Sequence, residues 1–148
     1  MDILFIGGTG QISLPVVEHA VTLDHKVFLL NRGTTSVPVP EGVETIIGDM
    51  DAEDPYAQIG ERKFDVVAQF RAFTPEQVAR DIRAFAGRCG QYVFISSASV
   101  YEKPVRVPVI TEKTPAINPY WAYSQQKIAC EELIRRSDVN WTIVRPSH

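Results

Sequence analysis

The sequence has few cysteines and no long apolar run. Its two cysteines, Cys89 and Cys130, form neither a metal-ligand motif nor a disulfide framework, so we interpret both as small buried hydrophobic residues. No apolar stretch approaches the ~20 residues of a membrane span, and the first predicted strand begins at residue 2, which leaves no room for a signal peptide. These absences predict a cytoplasmic protein without a metal site.

Positive charge is not in excess either. The net charge of −3 provides no electrostatic attraction for nucleic acid or for an anionic membrane surface. A hydrophobic fraction of 45%, a charged fraction of 22% and a length of 148 residues are ordinary for one globular domain with a core. We therefore expect a small-molecule partner, with neither nucleic acid nor membrane as a partner.

Short apolar runs alternate with helical patterns along the chain. Six runs are typical of buried strands: DILFIGG, KVFLLNRG, VETIIGD, FDVVAQF, QYVFISS and NWTIVRP. Helical periodicity occurs in QISLPVVEHAVTL, TPEQVARDIRAFAGRCG and the segment around YWAYSQQKIACEEL. This alternation predicts an α/β protein, a Rossmann-type doubly wound parallel sheet of about six strands with helices on both faces.

A glycine-containing segment, GGTGQIS, joins the first strand to the first helix. Glycines at 7 and 10 permit a tight turn and allow a pyrophosphate to approach the backbone at the positive end of a helix. The third small position of the motif is Ser13 rather than glycine or alanine. The order of strand, glycines, helix and strand predicts dinucleotide contacts from the loop, namely Gly7, Thr9, Gly10, Gln11 and Ile12.

The end of the second strand bears on the choice of cofactor. Dinucleotide sites that select NAD place an Asp or Glu there for the ribose hydroxyls, whereas this chain has Asn31 and Arg32. No carboxylate would repel a 2′-phosphate, and an arginine matches one, so we favour NADP over NAD. The alternatives are a solvated Arg32 and an Asn31 that holds a ribose hydroxyl.

Two further segments end predicted strands. In GDMD, Asp49 could accept from an adenine amino group and Met50 could cover the ring; a simple turn or helix cap is the alternative. In FISSASVY, the small hydroxyls of Ser96, Ser97 and Ser99 could orient a substrate oxygen, although loop serines are common.

Tyr123 and Lys127 lie four residues apart in YWAYSQQKIACEEL. This spacing places both on one face of a helix, where they are either a proton-handling pair or ordinary polar residues. The same helix should bury Ile128, Ala129, Leu133 and Ile134. Its opposite, polar side should carry Glu131, Glu132, Arg135 and Arg136.

The motifs GGTGQIS, GDMD, FDVVAQF, FISSASVY, YSQQK and TIVRPS occur in the order and spacing of the extended short-chain dehydrogenase/reductases. The chain resembles the NAD-dependent epimerase/dehydratase branch of that family over essentially its whole length. The resemblance implies that Tyr123 is the catalytic acid/base, that Lys127 binds the nicotinamide ribose and lowers the tyrosine pKa, and that Ser97 hydrogen-bonds the reacting oxygen. It also implies cofactor contacts from Phe70 and Pro146.

One segment departs from the family pattern. After the fourth strand, family members usually carry small residues, whereas this chain has Phe70, Arg71 and Ala72. Arg71 could reach a cofactor phosphate, an anionic substrate or solvent. The next helix also lacks the asparagine pattern of nucleotide-sugar enzymes, which weakens transfer of a nucleotide-sugar substrate.

These features predict an NAD(P)-dependent oxidoreductase, epimerase or dehydratase that acts on a carbonyl or secondary alcohol, which could be a sugar. Residues 1–148 are predicted to form the NAD(P)-binding domain, with a C-terminal substrate-binding portion absent; a naturally minimal domain is the alternative. Homodimerisation through the motif helix and the preceding helix follows from the resemblance. A non-catalytic NAD(P) sensor or an RNA-binding relative is the rival function.

Overall fold

Six parallel strands form one sheet in the computed structural model of the chain, which describes residues 1–34 and 36–147. The strands are β1 (Asp2–Ile6), β2 (Lys26–Asn31), β3 (Glu44–Ile47), β4 (Phe64–Gln69), β5 (Cys89–Ile95) and β6 (Trp141–Val144). Their order across the sheet is β3-β2-β1-β4-β5-β6, and every neighbouring pair is parallel. The predicted Rossmann-type doubly wound sheet is confirmed.

The connections contain the helices α1 (Ser13–Thr22), α2 (Pro75–Phe85) and α3 (Ala122–Arg135), and two short 3-10 helices, Ala57–Ile59 and Ala98–Val100. Helix α2 begins where the sequence predicts. The Thr74 hydroxyl accepts a hydrogen bond from the backbone N–H of Gln77, and the Gln77 side chain accepts one from the backbone N–H of Thr74. Pro75 occupies the first helical position, where an N–H is not needed.

The helices cover both faces of the sheet, as predicted. On one face, Val17 and Ala20 of α1 pack with Phe5 and Leu29 of the central strands. On the other face, the buried side chains of α2 and α3 form one cluster with strand residues, including Val78, Phe85, Cys130, Ile134, Tyr92 and Phe94. Cys130 is fully buried and Cys89 is partly buried, and both are free thiols.

The order of the strands reverses between β1 and β4, which are direct neighbours in the sheet. Chain connections leave this point in opposite directions, so a crevice opens beyond the carboxyl ends of the two strands. The loop after β1 begins at Gly7, and the loop after β4 begins at Phe70. The fold therefore places the glycine-containing loop and the departing segment at the mouth of the same crevice.

Residues 1–34 and 36–147 contain neither a candidate membrane span nor a candidate metal cluster. No helix in these residues is long and apolar enough to cross a membrane. Within the same residues, no group of three or more His, Cys, Asp or Glu side chains has a geometry that could hold a metal ion.

Candidate active site

A cavity of about 490 Å³ lies at the carboxyl ends of the strands. Loops after the first five strands, helix α3 and the segment after β6 contribute to its wall. All site residues predicted from the sequence except Ser99 line it: Gly7, Thr9, Gly10, Gln11, Ile12, Asn31, Arg32, Asp49, Met50, Phe70, Ser96, Ser97, Tyr123, Lys127 and Pro146. The structure brings these residues together; the role of each remains a prediction.

The glycine-containing loop is shaped for close approach of a ligand. Gly7 has φ of +82°, a left-handed conformation that favours glycine. At Gly10, the nearest atom to an added Cβ is the Ser13 Oγ, at 3.4 Å. No protein atom therefore occupies the place of a side chain at Gly10, and a side chain there would fill part of the cavity. The loop fits a phosphate held against its backbone.

The N-terminus of α1 has no cap from its own side chains. Its N-cap residue, Ile12, makes no side-chain capping bond, and the first turn contains no acidic residue. By contrast, α2 has a capping box and Glu76 in its first turn. The first N–H groups of α1 and the positive end of its dipole therefore lack the usual side-chain compensation, which suits an anion in the adjoining cavity.

Ser13 does more than fill the third small position of the glycine motif. Its buried hydroxyl donates a hydrogen bond to the Gly7 carbonyl and accepts one from the Gly10 N–H, each at 2.8 Å. The side chain thus links both ends of the loop to the first turn of α1. The glycine motif predicts only that a small residue fits at this position. A serine in place of glycine or alanine also signals an added hydrogen-bonding group.

Ser13→Ala is expected to loosen the glycine-containing loop. Loss of two buried hydrogen bonds should lower the free energy of unfolding by roughly 1–2 kcal/mol and weaken dinucleotide binding by roughly fivefold. Chemical denaturation and a fluorescence titration with NADPH measure the two effects. Ser36→Ala, at an exposed position outside the cavity lining, is the control. Unchanged stability and affinity in Ser13→Ala would contradict the linking role.

The polar residues at the ends of β2 and β3 also shape local turns. The Asn31 Oδ1 accepts a hydrogen bond from the Gly33 N–H at 2.8 Å, while Arg32 is exposed on the cavity wall. The Asp49 Oδ1 accepts from the Asp51 N–H at 3.0 Å, which matches the turn interpretation. Met50 beside it is buried and lines the cavity, as the adenine-covering interpretation requires.

Tyr123 stands in an aromatic wall of the cavity. Its ring centroid lies 4.9 Å from that of Trp121 and 6.4 Å from that of Phe73. Burial raises the pKa of the Tyr123 phenol above its usual value of about 10, and a hydrogen bond with the Ser97 hydroxyl partly offsets this rise. The phenol is therefore protonated at neutral pH, and its hydroxyl meets that of Ser97.

The Ser97 hydroxyl is held by a network that the sequence did not reveal. Its Oγ donates to the Ser99 Oγ at 2.9 Å and accepts from the Ser99 N–H at 3.1 Å. The Ser99 Oγ in turn accepts from the Ser124 Oγ at 2.9 Å, and the Asn118 side chain donates to the Ser99 carbonyl at 2.7 Å. The network joins the loop after β5 to the start of α3, so the hydroxyls of Ser97 and Tyr123 have a common support.

Lys127 is only 1% exposed, and its ammonium is bound by backbone oxygens. The Nζ donates to the carbonyls of Ala72 and Ile95, each at 2.8 Å, and lies 4.9 Å from the ring centroid of Phe73. Burial lowers the pKa of Lys127 to about 8, which leaves it mostly charged at neutral pH. The pKa of Tyr123 is raised, chiefly by burial, so the lowering by Lys127 that the resemblance implies stays a prediction.

Ser96 has a different hydrogen-bond partner from Ser97 and Ser99 of the same segment. Its hydroxyl donates to the Glu131 carboxylate at 2.6 Å, and Arg145 donates to the same carboxylate at 2.5 and 2.9 Å. Glu131 is 2% exposed, so the sequence interpretation that placed it on the polar side of α3 is wrong. The carboxylate is buried because Ser96 and Arg145 supply its hydrogen bonds.

A second buried carboxylate lies behind the loop that follows β4. Asp81 accepts hydrogen bonds from the hydroxyl of Tyr56, from the Tyr92 hydroxyl at 2.6 Å and from the Gln69 amide at 2.6 Å. The side-chain Oε1 of Gln69 accepts a hydrogen bond from the Arg71 backbone N–H at 2.6 Å. Desolvation by burial raises the pKa of Asp81 to about 6. Asp81 and Gln69 thus fix the backbone of the segment that departs from the family pattern.

Comparison with known proteins places these features in context. The model of a family described as NAD(P)H-binding matches residues 7–148. The 2'-dehydrokanamycin reductase of Streptomyces kanamyceticus is 30% identical over 136 residues, which cover 91% of this chain and 38% of the reductase. The chloroplast stem-loop binding protein of 41 kDa b of Arabidopsis thaliana is 30% identical over 161 residues, which cover 97% of this chain and 41% of that protein. The UDP-glucose 4-epimerase of Streptomyces lividans is 28% identical over 153 residues, with 88% and 46% covered.

Solved structures share the fold. A crystal structure of UDP-galactose 4-epimerase superposes with a TM-score of 0.79 at 24% identity, covering 98% of this chain and 55% of the epimerase. A short-chain dehydrogenase/reductase superfamily protein from Agrobacterium tumefaciens with bound NAD gives 0.80 at 22% identity, covering 98% and 48%. The chain spans less than half the length of each of the three curated relatives.

Proposed function

The chain belongs to the NAD(P)H-binding family, and its resemblance to the extended short-chain dehydrogenase/reductases is confirmed; on this basis we propose that it transfers hydride between a nicotinamide dinucleotide and a carbonyl or secondary alcohol. One observation carries the proposal. Tyr123, Ser97 and Lys127 line the same cavity as the glycine-containing loop, so an acid, its partner hydroxyl and a cation face the place where that loop would hold a dinucleotide.

The residues of the cavity divide by the part of the dinucleotide they suit. The loop of Gly7 and Gly10 with the N–H groups of α1 suits the diphosphate. Arg32 suits the phosphate on the adenine ribose, while Asp49 and Met50 suit the adenine. At the opposite end, the third N–H of the Lys127 ammonium is the group for the nicotinamide ribose. Phe70 and Pro146 line the cavity as apolar contacts.

When bound, the dinucleotide supplies or accepts the hydride. Tyr123 supplies the proton to the substrate oxygen in the direction of reduction, because its raised pKa keeps the phenol protonated at neutral pH. The Ser97 hydroxyl donates its single proton to the Ser99 Oγ in this structure; with substrate bound it turns that proton to the substrate oxygen and sets its position, while the Ser99 N–H continues to hold the Ser97 Oγ. The aromatic rings of Phe73 and Trp121 shield the phenol from part of the surrounding water.

The reaction itself is tested with labelled cofactor. NADPH and NADH with deuterium at the nicotinamide C4 are incubated with the natural gene product and a panel of ketones, aldehydes and keto sugars. For a reductase, mass spectrometry should find deuterium on the reduced carbon of at least one product. For an epimerase, which returns to the sugar the hydride it removes, protein supplied with oxidised cofactor should convert a sugar to its epimer without incorporation of label. Dinucleotide binding with neither incorporation nor epimerisation across the panel would favour the rival, a non-catalytic NAD(P) sensor.

The choice between NADP and NAD is tested at Arg32. We expect the protein to bind NADPH more tightly than NADH, and Arg32→Ala to weaken NADPH binding by roughly 10- to 100-fold with NADH changed less than about twofold. The reason is that the guanidinium pairs with a 2′-phosphate that NADH lacks. Isothermal titration of both cofactors measures this, with Arg136→Ala on the exposed end of α3 as the control. Tighter binding of NADH by the unsubstituted protein would overturn the NADP assignment.

The activity of the whole protein is a proposal of the same kind. The named relatives include a reductase, an epimerase and a stem-loop binding protein. We favour catalysis over stem-loop binding because the set of Tyr123, Lys127 and Ser97 is assembled in the cavity and the net charge is −3. The proposal has four further parts. The substrate is a sugar or other polyol, and the protein is cytoplasmic. It forms a dimer through α2 and α3, and a substrate-binding portion lies beyond residue 148.

A further inference from the structure

We propose that Arg71, whose stem lies on the glycine-containing loop, is a ligand of the cofactor diphosphate. This inference rests on the proposed dinucleotide function and adds a residue at which the chain departs from its family's small-residue pattern. The position follows β4, lies on the cavity wall and carries an exposed cation.

The stem of Arg71 crosses the glycine-containing loop. A Cβ added to Gly7 would overlap the Arg71 Cγ and lie 3.0 Å from its Cδ, so the aliphatic stem rests directly on the Gly7 backbone. The guanidinium lies 5.5 Å from the ring centroid of Phe73, whose ring is a neighbour of Tyr123. The cation is therefore placed between the loop suited to the diphosphate and the tyrosine suited to the reacting oxygen.

A hydrogen bond fixes the backbone of Arg71, while its guanidinium has no ion-pair partner among the residues that the structure describes. The Arg71 N–H donates to the Gln69 side chain, which the buried Asp81 holds in turn. The ion pairs found among residues 1–34 and 36–147 join Arg62 to Glu44, Arg106 to Glu102, and Arg135 and Arg145 to Glu131, so no carboxylate neutralises Arg71 there. An anchored backbone with an unneutralised guanidinium in a cavity matches the bidentate recognition of phosphate oxygens.

The cofactor diphosphate is a better match than an anionic substrate because the stem of Arg71 lies on Gly7. A substrate anion would be met near Tyr123 and Ser97, whereas the stem of Arg71 lies on Gly7. Ligands that contain the cofactor diphosphate but no substrate group distinguish binding of the cofactor from binding of a substrate anion.

Equilibrium titrations of the natural gene product with ADP-ribose, NADPH and AMP test the proposal. Arg71→Ala should weaken ADP-ribose and NADPH binding equally, by roughly 10- to 100-fold, and change AMP binding less than about twofold, because AMP has no diphosphate. Arg71→Lys should recover only part of the loss, since an ammonium cannot form the bidentate pair. Arg83→Ala, which removes the same charge from the exposed side of α2, should leave all three affinities unchanged.

The outcomes separate the inference from the proposed function. Failure of the unsubstituted protein to bind ADP-ribose or NADPH overturns the dinucleotide function and the inference with it. Normal binding that Arg71→Ala leaves unchanged overturns the inference alone. A variant that binds ADP-ribose normally but shows a raised KM for a phosphorylated substrate also overturns it and assigns Arg71 to the substrate. Circular dichroism of Arg71→Ala should match that of the unsubstituted protein, because the substitution retains the backbone N–H bound by Gln69.

Discussion

Replacement of Tyr123 by phenylalanine is expected to lower turnover by roughly 10²- to 10⁴-fold and to leave dinucleotide affinity within about a factor of two. The substitution removes the hydroxyl that supplies the proton and retains the ring that packs between Phe73 and Trp121. Because the aromatic wall is preserved, the cavity should keep its shape. The loss should therefore appear in kcat rather than in the binding of cofactor.

The measurement uses the natural gene product, NADPH and the substrate that the labelled-cofactor panel identifies. Tyr120→Phe is the matched control, because Tyr120 lies three residues away on the same segment and is 76% exposed. That variant should turn over at the normal rate. If Tyr123→Phe retains normal turnover, Tyr123 is not the proton donor and the assignment of the acid/base pair is wrong.

A second readout separates a proton donor from a residue that only packs. The raised pKa of Tyr123 implies that the phenol donates its proton at neutral pH and that its own contribution to the rate declines at alkaline pH, above the pH of about 8 at which Lys127 loses its charge. Tyr123→Phe should abolish this alkaline decline along with most of the rate. A residue with a purely structural role would change the rate at all pH values and leave the profile in place.

The sheet was predictable because each of its buried strands appears in the sequence as a short apolar run. FDVVAQF and QYVFISS became β4 and β5, with Tyr92 and Phe94 in the core. Glu131 shows where such patterns fail. Its neighbours in sequence place it on a polar face, but its partners, Ser96 and Arg145, come from segments beside β5 and β6 that local periodicity does not connect to α3.

The site was predictable as a set of positions and less so as a set of interactions. Fixed spacing after strands and on one helix identified Tyr123 and Lys127, because the carboxyl ends of parallel strands converge. No sequence pattern indicates that the carbonyls of Ala72 and Ile95 bind the Lys127 ammonium, because backbone acceptors are present at every residue. Ser13 was predictable only in part. A hydroxyl in place of a glycine indicates a hydrogen bond, but only the folded loop shows that its partners are Gly7 and Gly10.

Loss of the carboxylate of Asp81 is expected to have the largest effect on stability. Asp81→Ala would leave the hydroxyls of Tyr56 and Tyr92 and the amide of Gln69 without their buried acceptor. An unsatisfied buried donor costs about 1–3 kcal/mol, and removal of a desolvated charge offsets part of the total, so the free energy of unfolding should fall by roughly 2–4 kcal/mol. Urea denaturation measures this, with Asp138→Ala at an exposed position expected to change it by less than about 0.5 kcal/mol.

Asp81 should also make stability depend on pH, with a sign set by its raised pKa of about 6 against an ordinary value of 3.8. The native state then binds a proton more tightly than the unfolded state. The contribution of Asp81 is fully present below about pH 4 and is lost as the pH rises through about 6. Asp81→Asn cannot titrate at this position, so the difference in unfolding free energy between the unsubstituted protein and this variant isolates the effect.

That difference should move in favour of the unsubstituted protein as the pH falls from 7 to 4, by roughly 2–3 kcal/mol. A difference that is constant across this range would show that the hydrogen bonds from Tyr56, Tyr92 and Gln69 compensate the desolvation of the carboxylate fully. A change of opposite sign would mean that these donors outweigh burial. In both cases Asp81 would be a mostly charged anchor for Gln69 above about pH 4, and the segment containing Arg71 would keep its backbone contact across that range.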